Sequence, residues 1–295
     1  MKQSSSPLLP RLQLLAAATL FSTGGAAIKA ISLSGWQVAG LRSGIAALAI
    51  LILLPQARRG WSWRVALVGV AYAATLTLFV TANKLTTAAN TIFLQSSAPL
   101  YLLLLGPFLL KEPIRRDDLW LIGVVGVGLA LFFVGVEAPM ATAPDPVRGN
   151  ILGALSGITW ALTLTGLRWL STRPPAPGAE AGDEALATVA VGNLLACLAA
   201  LPFALPVTGA TVVDWGVVVY LGVFQIGAAY LLLTRGIHHV SALEASVLLL
   251  AEPALNPIWA WAMHGELPSA WSLTGGTLIL GASVLRTWSG VRRAV

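Results

Sequence analysis

Charge is what this sequence has least of. Only 10% of its 295 residues are charged, against 57% that are hydrophobic, and its mean hydropathy is +0.80. Soluble domains carry roughly 25% charged and about 45–50% apolar residues. So few charges cannot cover the outside of a water-soluble fold, which excludes a soluble enzyme and a disordered chain. Cysteine is nearly missing: Cys197 stands alone, so there is no disulfide scaffold and no redox pair. His238, His239 and His264 are the three histidines, and no cysteine or carboxylate stands at ligand spacing around them, so no metal site is expected. Asp117–Asp118 fits a helix start, where the dipole favours acids, better than a metal-diphosphate site, whose further acidic partners are lacking. A phosphate loop and a G-x-S-x-G nucleophile turn are also missing. No catalytic residue and no cofactor follow from this chain, and transport without an ATP site has to be passive or driven by an ion gradient.

What is present is apolar sequence in long runs. A span needs about 20 apolar residues, so ten would occupy roughly 210. Spans are expected near 12–30, 36–54, 64–84, 88–110, 118–136, 149–170, 185–205, 213–236, 241–263 and 272–289. Leu12–Ile28, preceded by Lys2 and Arg11, is read as the first span rather than a signal peptide, because no small-residue cleavage site ends it and many apolar segments follow. The connectors 137–148 and 171–184 are rich in proline, alanine and acidic residues, as solvated linkers are.

The scarce basic residues set the orientation. With the N-terminus inside, the inner span ends hold Lys2, Arg11, Arg58, Arg59, Arg64, Lys111, Arg115, Arg116, Arg168, Arg173, Arg235, Arg286, Arg292 and Arg293. The outer ends hold only Lys29, Lys84 and Arg148, and Arg42 lies within a span. Lys and Arg concentrate on the cytoplasmic side of membrane proteins, so both termini are expected in the cytoplasm, with an even number of spans. The excess of 18 basic over 12 acidic residues therefore speaks of topology; with no run of five basic residues, no nucleic-acid partner is expected. Trp36, Trp61, Trp63, Trp120, Trp169, Trp215, Trp271 and Trp288 fall at span ends, where amphipathic rings prefer the headgroup level. Trp160, Trp259 and Trp261 do not.

The two halves repeat. At a constant offset of 154, Pro99 falls on Pro253, Glu112 on Glu266 and Trp61 on Trp215; at 139, Phe21 falls on Trp160 and Lys29 on Arg168. Five spans per half is an odd number, so the second half has to enter the membrane in the opposite sense, an arrangement found in secondary transporters with midplane substrate sites. The expected organisation is an all-α integral membrane protein of ten transmembrane helices in two inverted five-helix repeats: residues 1–136, a linker at 137–148, and residues 149–295.

Each half carries a small, polar start, a central proline and a Glu just past the span: Ala88-Ala89-Asn90, Pro99 and Lys111-Glu112-Pro113 in one, Ser241-Ala242-Leu243-Glu244, Glu252-Pro253 and Gly265-Glu266 in the other. A glycine-rich span follows each (Gly123, Gly126, Gly128; Gly275, Gly276, Gly281), and Arg42 sits inside the second span. Over nearly its whole length the sequence resembles the drug/metabolite transporter superfamily, in particular its EamA-type ten-span exporters, among them aromatic amino acid exporters of the YddG type. It departs from them in the first span, with Phe21-Ser22-Thr23-Gly24 where many relatives have Trp-Gly. The resemblance implies a basket of two five-helix repeats around a central cavity, in a bacterial inner membrane, and an exporting direction.

Candidate cavity residues are the polar and aromatic side chains at mid-span depth. Glu252 lies where an unpaired carboxylate is expensive, and Asn256 and Trp259 follow at i+4 and i+7 on the same helix face. Glu252 could hold a substrate ammonium or a proton, or bond a neighbouring helix as structural glue. Gln95 and Tyr101 on the fourth span, Tyr72 on the third, Trp160 on the sixth and Gln225 on the eighth complete an amphipathic set of the kind that small-molecule sites use. Arg42, between Gly40 and Gly44, could take a substrate carboxylate in bidentate fashion or pair structurally with Glu252 or a helix-end carbonyl. Gly149, Gly153 and Gly157, with Gly123, Gly126 and Gly128, are expected at tight helix contacts. The partners are then a small-molecule substrate and the lipid bilayer, with the oligomeric state open and a monomer one option. The function expected is export of small metabolites, amino acids first, by alternating access. A multidrug or hydrophobic-cation efflux carrier and, more remotely, a membrane-embedded enzyme are the alternatives.

Overall fold

The computed structural model describes residues 8–109, 114, 116–180 and 182–292. Among them the chain is helical and holds no strand, only an isolated bridge between Met140 and Ala143. In chain order the helices are α1 (Leu8–Ser22), α2 (Gly24–Lys29), α3 (Gly35–Leu53), α4 (Trp63–Leu85), α5 (Ala88–Gln95), α6 (Ala98–Leu109), α7 (Arg116–Val134), α8 (Pro146–Ser171), α9 (Asp183–Ala204), α10 (Val212–Tyr220), α11 (Ala229–Ile237), α12 (Ala242–Leu249), α13 (Ala251–His264) and α14 (Ala270–Arg292). A 3₁₀ turn, Pro55–Arg58, follows α3, and a π-helical segment, Leu221–Ala228, joins α10 to α11.

Helix starts are fixed by side chains that accept the first free amides. Ser34 with Gln37 and Thr211 with Asp214 form capping boxes, and Ser62, Thr87, Asp145 and Ser241 cap α4, α5, α8 and α12. Six stretches, Gly35–Leu53, Trp63–Leu85, Ala88–Leu109, Pro146–Ser171, Asp183–Ala204 and Val212–Ile237, are long and apolar enough to cross a membrane, and Asp118–Val134 is a shorter apolar helix. Their outward faces are apolar: Leu48, Ile52, Phe108, Phe203 and Val212 are all exposed. In hydrocarbon such a surface carries no penalty, and a helix satisfies its own backbone.

The helices overlie the intervals expected for the spans, but four of these are not regular helices. Interval 12–30 is divided at Thr23, 88–110 at Ser96–Ser97 and 241–263 at Leu250, and 213–236 widens to π pitch over Leu221–Ala228. Pro99 and Pro253 explain two of these divisions. Each lacks the N–H that the carbonyl four residues earlier would receive, on Gln95 and Leu249 respectively.

Residues before and after the 137–148 connector interleave in the packing. α4 lies between α8 and α9, α3 against α9 and the π segment, α1 against α11 and α13, and α7 against α14. Small residues permit these approaches. A Cβ on Gly40 or Gly44 would stand 2.9 Å from Ala200 Cβ or Cys197 Sγ, and Gly128 and Gly275 face one another's carbonyl oxygens across α7 and α14. Gly149, Gly153 and Gly157 bring α8 against the Leu85–Thr86 corner and α5, as expected. Gly123 and Gly126 do not fit that expectation: a Cβ at either would meet nothing within 4 Å, because they lie on the side of α7 turned away from α14.

Candidate functional site

Between these helices lies a cavity of about 260 Å³. Six of the residues singled out from the sequence line it: Arg42, Tyr72, Gln95, Trp160, Gln225 and Glu252. They arrive from six different elements, α3, α4, α5, α8, the π segment and α13.

Arg42 is carried by the face of α3 that crosses the π segment. Gly222 makes the crossing close, since a Cβ there would stand 3.0 Å from the Arg42 carbonyl oxygen. One turn on, Gln225 Oε1 accepts from Arg42 Nη1 at 3.5 Å, the far limit of a hydrogen bond, while Gln225 Nε2 donates to the Phe21 carbonyl at 3.2 Å. That carbonyl is available because the first helix stops at Ser22. Gly24 leaves room for the amide, since a Cβ on it would lie 2.8 Å from Gln225 Nε2. Arg42 is 2% exposed, its Nε has no partner, and no ion pair joins it to a carboxylate among the described residues.

Glu252 shares the cavity with Arg42 without pairing to it. The division at Leu250 places Glu252 in the first turn of α13, where the amide dipoles favour a carboxylate. The aromatic wall stands between these poles. Tyr72 and Tyr230 bond hydroxyl to hydroxyl at 2.9 Å, Trp160 lies 6.2 Å from the Tyr72 ring, and Phe21 meets Tyr230 edge-on at 5.3 Å. Thr75, Phe79 and Ser96 extend the lining, and Thr75 Oγ1 donates to Thr159 Oγ1 at 3.0 Å.

Tyr101, Asn256 and Trp259 are not among the lining residues. Tyr101 packs against Gly157 of α8. Asn256 is buried against Gly25, and Trp259 Nε1 donates to Ser22 Oγ at 2.9 Å. Beyond its first turn, the face of α13 that carries Glu252 is covered by α1 and α2, so helical spacing alone does not keep these residues in the cavity. Phe21 and Tyr230 were not singled out as site residues from the sequence. Tyr230 follows Gln225 by five residues, off-face in an α-helix, but close to the same face once the turn widens to i→i+5.

Away from the cavity, the end of the bundle bearing Lys29 is dense with polar contacts, although Glu266 Oε1, Asn83 Oδ1 and Asn90 Oδ1 have no hydrogen-bond partner among the described residues. Lys29 Nζ lies 2.9 Å from Glu266 Oε1 and donates to the carbonyls of Asn83, Thr86 and Thr142; Glu266 also accepts from the Ala88 amide at 3.0 Å. Asp214 accepts from the Ser32 and Thr211 amides and hydroxyls, tying the α2–α3 turn to α10. Glu137 accepts from Ser272 Oγ at 2.6 Å and Asn90 Nδ2 at 2.9 Å. Partial burial works to raise its pKa, but these bonds and one from the Ser269 amide hold the carboxyl below its ordinary value. At the opposite end Arg11 of α1 pairs with Glu244 of α12. Glu112, expected as the counterpart of Glu266, lies outside the described residues.

A model of the EamA-like transporter family matches residues 9–134 and 147–288. Two pseudopaline exporters, CntI, from Pseudomonas aeruginosa strains UCBPP-PA14 and ATCC 15692, are 29% and 28% identical over 271 and 275 residues, spanning 90% of this chain and 90% of each. The crystal structure of a protein 20% identical superposes with a TM-score of 0.61, covering 97% of this chain and 99% of that one, which shows a shared fold.

Proposed function

The chain belongs to the EamA-like transporter family, a membrane-embedded transporter family rather than an enzyme family, and we propose that it exports small metabolites of the amino-acid class through the cavity around Arg42 and Glu252. The observation that carries this reading is the cavity itself: an apolar-walled chamber in mid-bundle, lined from both halves of the chain and holding one side chain of each charge. Its volume of about 260 Å³ lies just under the range of about 300–1,000 Å³ typical of drug-sized sites, which suits a small cargo. The two relatives named as exporters of pseudopaline, a metabolite, support the outward direction.

In this reading the chain crosses a bacterial inner membrane ten times, with both termini cytoplasmic and residues 1–136 and 149–295 as inverted repeats joined by 137–148. Two features support it. The helix divisions at Ser96–Ser97 and Leu250 fall at the same offset of 154 that relates Pro99 to Pro253. The family's model matches two separate stretches, which part near the proposed linker. Alternating access then consists of one repeat rocking against the other around the cavity, with broken helices at the site.

The test is counterflow. Full-length protein in liposomes should exchange labelled amino acids faster than empty vesicles do, with and without an imposed pH gradient to reveal proton coupling. No acceleration across a broad amino-acid panel would remove this cargo class. Cysteine tags at the two termini should react from the same side of the membrane; reaction from opposite sides would refute the inverted repeat. A second cargo, hydrophobic cations, is favoured by one observation: Glu252 faces the cavity with no hydrogen bond or ion pair to another described residue. Glu252→Gln would then abolish cation efflux and spare neutral amino acids.

A further inference from the structure

Among the described residues, two positively charged side chains are almost wholly buried, and only one of these has a counter-charge. Lys29 has Glu266 and three carbonyls. Arg42 has a single hydrogen bond at 3.5 Å to a neutral amide, an unpartnered Nε and a cavity in front of it. A buried charge without a partner is strongly unfavourable unless something neutralises it. The other titratable groups that line the cavity are Tyr72, Tyr230 and Glu252. The tyrosine hydroxyls bond to each other, and Glu252 is not within ion-pair distance. The chain therefore leaves the guanidinium's anion to be supplied from outside.

We propose that Arg42 is the anion subsite of the cavity, that it takes a carboxylate of the cargo in bidentate fashion, and that Gln225 is the neutral stand-in the carboxylate displaces. The inference rests on the reading of this cavity as a cargo site and narrows it to organic carboxylates, zwitterions included, with an apolar or aromatic remainder. A guanidinium fork matches a carboxylate with two parallel bonds, each stronger than a bond to a neutral amide oxygen. Gln225 is suited to yield. It holds Arg42 at the limit of bonding distance, and its own anchor is the Phe21 carbonyl near the end of α1. Phe21, Tyr72, Phe79, Trp160 and Tyr230 supply the wall for the remainder of the cargo.

The measurement is thermal unfolding of the detergent-purified full chain with three probes that share one phenyl group: 3-phenylpropionate, L-phenylalanine and phenethylamine. The two carboxylates should raise the midpoint saturably, and phenethylamine should not. In Arg42→Met the carboxylate response should disappear while the probe-free midpoint stays at or above that of the parent protein; Arg42→Lys should weaken the apparent affinity about tenfold or more. Gln225→Glu places a tethered carboxylate against the guanidinium and should silence the response in a protein that still folds. Stabilisation by phenethylamine alone, no response to any of the three probes, equal responses in the parent and Arg42→Met, or a lowered probe-free midpoint in Arg42→Met would each overturn the proposal. Counterflow in liposomes separates this from the transport reading. Exchange of L-phenylalanine that ignores Arg42→Met overturns the subsite and leaves a carrier, whereas Arg42-dependent carboxylate stabilisation without any exchange supports the subsite and overturns the carrier.

Discussion

Lys29 and Arg42 stand for two ways of burying a charge. Around Lys29 the chain spends an ion pair and three carbonyls on one ammonium, and every group that packs there belongs to the fold. Around Arg42 it offers one distant amide and a cavity. Both side chains are about equally hidden, 1% and 2% exposed, so burial does not tell them apart; the completeness of the partner set does. A saturated charge fixes where helices meet, and an unsaturated one is available to a guest.

The comparison breaks most visibly at Lys29. Lys29→Met leaves Glu266 buried without its cation and should cost about 3–5 kcal/mol, seen as lost folded yield on size-exclusion chromatography. Adding Glu266→Gln should recover part of that loss, because the amide oxygen can still accept from the Ala88 N–H. At Arg42 the sign reverses. Arg42→Met should be neutral or stabilising by about 1–4 kcal/mol in the absence of cargo, read as the unfolding midpoint. Trp259→Phe should lose the bond to Ser22 and destabilise by roughly 0.5–1.5 kcal/mol, leaving cargo selectivity unchanged since neither residue lines the cavity.

The smallest effect is expected at Glu137. Its hydrogen bonds favour the ionised form, so its contribution is fully present above the unfolded-state value of about 4.3 and is lost as pH falls through the lower folded-state value. Unfolding midpoints at pH 7 and pH 4 should show a smaller acid-induced drop for Glu137→Gln than for the parent chain.

Much of this was legible in the residues. Hydropathy located the helices because a lipid solvent leaves apolar runs no other use, and Gly40, Gly44, Gly149, Gly153 and Gly157 marked close crossings because backbones cannot approach over larger side chains. Six cavity residues were readable as polar or aromatic groups at mid-span depth. What escaped depends on where a helix stops being regular. Spacing put Asn256 and Trp259 beside Glu252, but α1 and α2 cover α13 beyond its first turn. Tyr230 was hidden for the opposite reason, since a wider turn brings near a residue that α-helical periodicity sends away. Gly123 and Gly126 show that a cluster of glycines does not identify which of its members has a neighbour; only Gly128 does.

The surplus residue in the Leu221–Ala228 turn also makes this stretch tolerant of losing a single codon. Deleting one codon between Gln225 and Tyr230 would relax the segment to ordinary α-helical pitch and place Tyr230 four residues after Gln225, still on its face, so that the Tyr72 hydroxyl keeps its mate. A lineage could thus lose the widened turn through an indel and still keep the chamber's wall, a route that comparison of aligned columns alone would miss.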